Sequence, residues 1–301
     1  MHTSLIALGY QENWWAILTS AFMRNALVGG TLVALAAGLI GFFIVVRNSA
    51  FAAHALAHIG FPGATGAVLL GLPVSAGLAV FCIGGALVIG ALGKRADERE
   101  VATGTVLAAA TGLGLFFSSL ATRSSSTVTN VLFGNLLAIT HQQLVLFAVA
   151  VAVLASVMAF VYRPLLFASV NPAVAEAKGV PVRVLSVIFM ALLGLAVTMA
   201  VQAVGTLLLF ALVVTPAATA IMLTARPATA MVVSTVLAVS AVWAGLALSA
   251  MFNMPPSFVI VTIVSGVWLV VWLAAQRTGA DRRTPQAVHG GGVTETGHPI
   301  H

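Results

Sequence analysis

Hydrophobic positions along the chain gather into long apolar blocks separated by short polar interruptions. Blocks of about 20 residues fall at 25–46, 49–70, 74–92, 101–121, 142–162, 184–203, 205–223, 229–250 and 257–275. Wound as α-helix, a block of this length crosses a hydrocarbon layer of about 30 Å. Such a layer offers no water to backbone N–H and C=O groups, so each block must satisfy its own by forming a helix. The pattern predicts an all-α, polytopic integral membrane protein with about nine transmembrane helices, or eight if one short-looped pair is a single element. Residues 1–24 form an N-terminal interfacial segment in which Tyr10, Trp14 and Trp15 suit the headgroup level. Residues 25–275 form the transmembrane domain. The tail 276–301 (ending HGGGVTETGHPIH) is too polar and Gly-rich to pack a core and is expected to be disordered.

Composition sharpens this picture. Of 301 residues, 60% are hydrophobic and 7% charged, with a mean hydropathy of +1.11. A soluble domain carries about 25% charged residues, so a water-facing surface cannot be assembled from this inventory. The net charge of +6 comes from single Lys and Arg residues scattered between apolar blocks. It reports membrane orientation and no nucleic-acid partner. The densest basic stretches are Lys94–Glu100 and Arg163–Arg183, and threading the blocks places them, with the C-terminus, in the cytoplasm and the N-terminus outside. No charged region precedes an apolar core at the N-terminus, so no cleavable signal peptide is expected. Every Asp and Glu lies outside the blocks, which leaves no intramembrane carboxylate for a proton or sodium relay. The single cysteine, Cys82, lies inside a block and has no partner cysteine.

Candidate chemistry begins with two histidines. His54 and His58 sit in the block Ala50-Phe-Ala-Ala-His-Ala-Leu-Ala-His-Ile-Gly-Phe-Pro62-Gly63. Four residues apart on a helix, they share a face. Counted from Arg47, they lie ~10 and ~16 Å into a ~30 Å core. Intramembrane histidine is costly and faces a cavity or a partner. Neutral imidazole is a ligand for Zn, Cu, Ni and Fe. Hydrogen bonding between helices is the alternative reading of the same pair. An intramembrane zinc protease needs a Glu directly after the first histidine; Ala55 stands there instead.

Three further stretches stand out. Thr215, Pro216 and Thr219 lie in the block 205–223, where proline kinks the helix and the threonines either re-satisfy its backbone or line a path. Gln202 and Asn253 sit at block ends, where solvation explains them. In the cytoplasmic stretch Asn171-Pro172-Ala-Val-Ala-Glu176-Ala-Lys178-Gly179, Asn-Pro starts a helix of about two turns and Gly179 stops it. A soluble motor could grip such a helix; a solvated connector is the other reading. The segment Asn130–His141, broken by Gly134-Asn135, is too short to span and suggests a partly re-entrant outer segment with an interfacial His141.

Taken together these stretches resemble the zinc/manganese permease family of ATP-binding-cassette importers, over residues 20–275. The markers are the arginine-ended first span, the Ala-rich histidine helix with Pro62-Gly63, Leu132-Phe-Gly-Asn135, the Asn171–Gly179 connector and Val204-Gly-Thr…Thr215-Pro-Ala-Ala-Thr-Ala220. The resemblance implies a permease homodimer that docks a cytoplasmic ATPase dimer and receives metal from an extracytoplasmic metal-binding protein, in the plasma membrane. It implies that Asn171, Pro172, Glu176, Lys178 and Gly179 couple the permease to the ATPase, and it relates the fold to the vitamin B12 and siderophore permeases. It also implies an Asp-x-x-x-His metal site. This chain carries His54 at the Asp position and retains the histidine as His58. By ligand type an imidazole pair favours zinc over manganese. A metal chelate as cargo, or a secondary carrier, is the alternative. No GxxxxGK[ST] string occurs, so the chain is expected to be a transport subunit without a cofactor, its ATP hydrolysed by a partner.

Overall fold

The computed structural model describes residues 14–92, 96–120, 131, 133–206 and 208–277, and every regular element among them is helical. In chain order these are α1 (Trp14–Leu18), α2 (Ala21–Val46), α3 (Ala50–Leu69), α4 (Val74–Leu92) and α5 (Ala96–Leu120). A 3-10 turn (Leu136–Ala138) precedes α6 (His141–Val170) and α7 (Pro172–Ala177). The chain ends in α8 (Val182–Val204), α9 (Leu209–Val213), α10 (Thr215–Leu223), α11 (Pro227–Phe252) and α12 (Pro256–Arg277). The expected tail 276–301 and most of the segment 1–24 lie outside the described residues.

Seven of these helices are long and apolar enough to cross a membrane: α2, α4, α5 from Glu100, α6, α8, α11 and α12. The expected count of about nine therefore differs at two places. The block 49–70 does form a helix, α3, but its two histidines, proline and glycines dilute its hydropathy below that of its neighbours. The block 205–223 is not one helix; it is unwound at its start and interrupted before Pro216, leaving α9 and α10.

Burial ranks the helices by their distance from lipid. In α2 and α8, 67% and 72% of the membrane window is buried, against 17% in α5, α6 and α12. With 13 of its 20 residues buried, α3 joins α2 and α8 at the centre, and the exposed rows on the outer helices, such as Leu115, Phe116, Val149, Phe160 and Val270, suit lipid tails. α2 packs against α6, α8 and α11, while α4 lies between α8 and α3, and α3 packs further against α5.

Lipid tails are as apolar as leucine, so helices in a membrane associate chiefly through close packing, which small residues permit. This chain follows that rule at each central crossing. Gly63 of α3 and Gly77 of α4 face each other so closely that a Cβ on either would run into the other's backbone carbonyl. Gly38 of α2 lies against Thr235 of α11, and Gly194 of α8 against the Cys82 carbonyl of α4. The histidine helix is therefore held by backbone-to-backbone contact at Gly63–Gly77 and by large side chains seated in glycine notches, Ile59 against Gly85 of α4 and Phe61 against Gly114 of α5.

Overpacking a close-packed core costs about 1–3 kcal/mol and occasionally more. Gly77→Val should lower the thermal unfolding midpoint of the detergent-solubilised protein. Gly104→Ala, where a Cβ meets open space, should leave it near the wild-type value. An unchanged midpoint for Gly77→Val would remove the tight α3–α4 contact from the account.

Candidate functional site

The two histidines come together as their spacing dictates. On α3 the imidazole centroids of His54 and His58 are 4.8 Å apart with planes at 71°. Both side chains are partly exposed, on a helix whose other residues in this region, Ala52, Ala53, Ala55, Leu56 and Ala57, are buried. The imidazole face is thus the one open strip of an otherwise packed segment. Phe210 of α9 adjoins it, 6.4 Å from His54 between ring centroids and nearly perpendicular. Cys82 is not part of this face. Its thiol donates to the Leu56 carbonyl at 3.4 Å and lies against Gly60, a half-turn away from the imidazoles. Among the described residues no group of three or more His, Cys, Asp or Glu side chains gathers. The pair alone supplies two nitrogen ligands.

Phe210 reaches His54 because the chain between α8 and α10 is broken. At Gly205 the backbone has φ +82° and ψ 169°, a region essentially restricted to glycine. α8 stops there, and its freed backbone groups need partners in a membrane. The segment before α6 supplies them. The Thr206 N–H donates to the Val131 carbonyl at 2.9 Å, and the Asn135 N–H to the Gln202 carbonyl at 3.3 Å. Gly134, with φ +71°, presses its Cα on the Val204–Gly205 peptide. Gln202 donates to the Thr198 carbonyl at 3.0 Å and accepts from the Gln143 side chain at 3.4 Å. Gln143 in turn forms a capping box with Thr140 at the start of α6. A cavity of about 220 Å³ lies beside this seam, lined in part by Ser75, Asn135, Gln143 and Gln202. Gln202, expected to be simply solvated at a block end, is therefore a partly buried tie in the seam. Asn253 takes a left-handed conformation, φ 51°, as the C-cap of α11. His141 is exposed at the first position of α6.

Thr215, Pro216 and Thr219 sit on α10, below Phe210. Pro216 occupies the first turn of α10, where its missing N–H ends the continuity with α9. Gly41 of α2 lets the Val213 carbonyl approach at this interruption. Pro216 and Thr219 are buried, and the Thr219 hydroxyl donates back to the Thr215 carbonyl at 2.8 Å. That bond is the ordinary i−4 back-bond of a helical threonine and does not reach the Leu212 carbonyl that Pro216 leaves without its N–H partner.

The connector residues lie apart from the histidines, at the end of the bundle where Arg47 closes α2. Asn171 caps α7 by accepting the Val174 N–H at 3.1 Å, and Pro172 follows it. Gly179, with φ +81°, ends the helix: its N–H donates to the Glu176 carbonyl at 2.9 Å and the Val180 N–H to the Ala175 carbonyl at 3.0 Å. This is a Schellman stop. Ala175 is fully buried, whereas Glu176, Lys178 and Gly179 are exposed. α7 is thus pinned by one methyl and presents the rest of its surface outward.

Two features were not read from the sequence. The unwinding at Gly205 was hidden inside an uninterrupted apolar run, and the signal for it was Gly205 preceding a polar threonine. Phe210 as a neighbour of His54 follows only from that unwinding.

Apolar helices around a broken span, with an open imidazole strip, describe a multi-pass membrane permease. The ABC 3 transport family matches residues 19–275, and the chain belongs to that family. It is similar to the "Manganese transport system membrane protein MntC" of Listeria monocytogenes, 32% identical over 265 residues that cover 87% of this chain and 94% of that protein. It is also similar to the "Manganese import system permease protein ScaB" of Streptococcus gordonii, 30% identical over 258 residues, covering 85% and 92%. Among solved structures, PsaBC from Streptococcus pneumoniae in complex with Fab matches with a TM-score of 0.76 at 27% identity, covering 86% of this chain and 94% of that one. The chain is a transport subunit and not an enzyme, and ATP hydrolysis falls to a separate ATPase.

A Cβ at Gly205 would be held in a conformation that costs about 1–3 kcal/mol. Gly205→Ala should therefore lower the unfolding midpoint, and a cysteine placed at the buried Thr206 should mark a loosened seam by faster labelling in the Gly205→Ala background. Equal labelling rates with and without the substitution would show that the break does not depend on this glycine.

Proposed function

We propose that this chain is the transmembrane permease subunit of an ATP-binding-cassette importer for divalent metal ions. It works as a homodimer in the plasma membrane, with a cytoplasmic ATPase dimer and an extracytoplasmic metal-binding protein. The observation that carries the reading is the open pair His54–His58 on a segment whose neighbours Ala52, Ala53, Ala55, Leu56 and Ala57 are buried. Two partly exposed imidazoles suit an ion in passage. A structural site closes four ligands around the metal, whereas conduction needs binding weak enough to be left. Water or a second copy completes the shell.

Counting α3 and the broken α9–α10 segment as crossings gives nine spans. An odd number puts the termini on opposite sides, and the positive-inside bias places α7, Arg47 and the C-terminus in the cytoplasm. In this arrangement Asn171, Pro172, Glu176, Lys178 and Gly179 present the surface that the ATPase engages. Thr215, Pro216 and Thr219 form the kinked wall of the pathway below Phe210. The permease needs no cofactor, and the metal is its substrate.

Manganese is the cargo favoured by the names of the relatives, which are manganese transport proteins. Zinc is the second reading, favoured by the donor set: the resemblance expects Asp at position 54, and the imidazole that stands there suits borderline-soft ions.

The test is metal uptake by the assembled transporter. Loss of outer partners of a metal site costs about 10–100-fold in affinity or activity, so the double change His54→Asn and His58→Asn should lower manganese and zinc uptake by at least that much. Asparagine keeps hydrogen-bonding capacity, so a packing role would tolerate it. His54→Asp should shift preference from zinc toward manganese. Wild-type uptake by the double variant would remove the site and return the pair to helix packing.

A further inference from the structure

One charged side chain joins the connector end of the bundle to the histidine helix. Arg47 is the C-cap of α2, and its half-buried guanidinium reaches across the base of the bundle. Nη1 donates to the Ser169 hydroxyl at 3.1 Å and Nη2 to the Ser186 hydroxyl at 3.3 Å. Ser169 is the next-to-last residue of α6, and Ser186 lies in the second turn of α8. These two helices flank α7 and are the ones it packs against. The guanidinium also lies over the Phe189 ring of α8, 5.0 Å from its centroid. Ser169 passes its own proton to the Leu165 carbonyl, so its oxygen is free to accept.

The backbone of Arg47 leads straight to the histidines. Asn48 turns in the left-handed region, φ 50°, and the Ser49 N–H donates to the Ile44 carbonyl at 2.8 Å. The Ser49 hydroxyl donates to the Arg47 carbonyl at 3.2 Å. α3 begins at Ala50, and His54 follows one turn later. The turn between Arg47 and α3 is therefore tightly bonded. A displacement of the α6 and α8 ends moves the guanidinium, and the guanidinium moves the start of α3. The planar fork suits this task, because it grips two acceptors and an aromatic face in fixed relative positions. α3 also packs directly on α8, and both pack on α4, so the link through Arg47 carries part of the coupling.

We propose that Arg47 is a positioning residue that transmits movement of the connector helix α7 to the imidazole-bearing helix α3. This rests on the coupling role given above to residues 171–179. The experiment uses the permease assembled with its ATPase in proteoliposomes and reads ions transported per ATP hydrolysed, with manganese and zinc as probes. Mutations along a coupling network change coupling by about 2- to 30-fold. Arg47→Met should lower the ratio within that range while the ATP hydrolysis rate and metal affinity stay near wild type. A merely structural role would lower all three together and would overturn the proposal. Ser169→Ala with Ser186→Ala removes both acceptors without disturbing a charge, and it carries the test if Arg47→Met fails to assemble. Arg47→Lys, which restores one contact, should give an intermediate ratio. An unchanged ratio in the serine pair would overturn the proposal. If Lys178→Glu lowers the ratio in the same preparation, the connector role survives that outcome; if it too leaves the ratio unchanged, both readings fall.

Discussion

The backbone must satisfy its own hydrogen bonds wherever water is absent, and most of this architecture follows from that constraint. A continuous helix meets it locally, which is why apolar runs such as 74–92 and 227–252 fold as single helices. The informative places are those where the helix stops inside the bundle. At Gly205 the released groups pair with Val131 and Asn135, so the short segment before α6 is fixed by the break it repairs. At Pro216 the interruption is smaller: only the missing proline N–H separates α9 from α10.

Glycine contacts set what these breaks accomplish. Because Gly63 and Gly77 bring α3 and α4 together at backbone distance, with Ile59 seated against Gly85 of α4, α3 turns its imidazole strip away from α4. Because α9 starts anew after the unwound stretch, Phe210 meets His54 instead of continuing the line of α8. The candidate site is thus assembled from ordinary residues on two elements, one tightly packed and one broken. Its polar content is two imidazole rings, and an imidazole costs an apolar bundle less than a side chain that is always charged.

Much of this was legible in the sequence. Block length identified the membrane helices and their approximate ends. The four-residue spacing put His54 and His58 on one face, and Asn171-Pro172 and Gly179 marked both ends of a short helix by their capping chemistry. What escaped was of one kind. Hydropathy averages over a window, so a stretch that unwinds at a single glycine still looks like one continuous helix. Pairings between distant segments, such as Arg47 with Ser169 and Ser186, or Gln143 with Gln202, leave no local signature at all. They depend on which helices become neighbours, and a single sequence does not carry that information.

The central claim is that His54 and His58 hold a divalent ion during passage. X-ray absorption spectra of the detergent-purified permease, loaded separately with manganese and zinc, test it most directly. The account predicts a first shell containing imidazole nitrogen, at about 2.0–2.1 Å for zinc, which disappears when both histidines are replaced by asparagine. A first shell of oxygen alone in the unmodified protein, or imidazole signal that survives the double replacement, would contradict it.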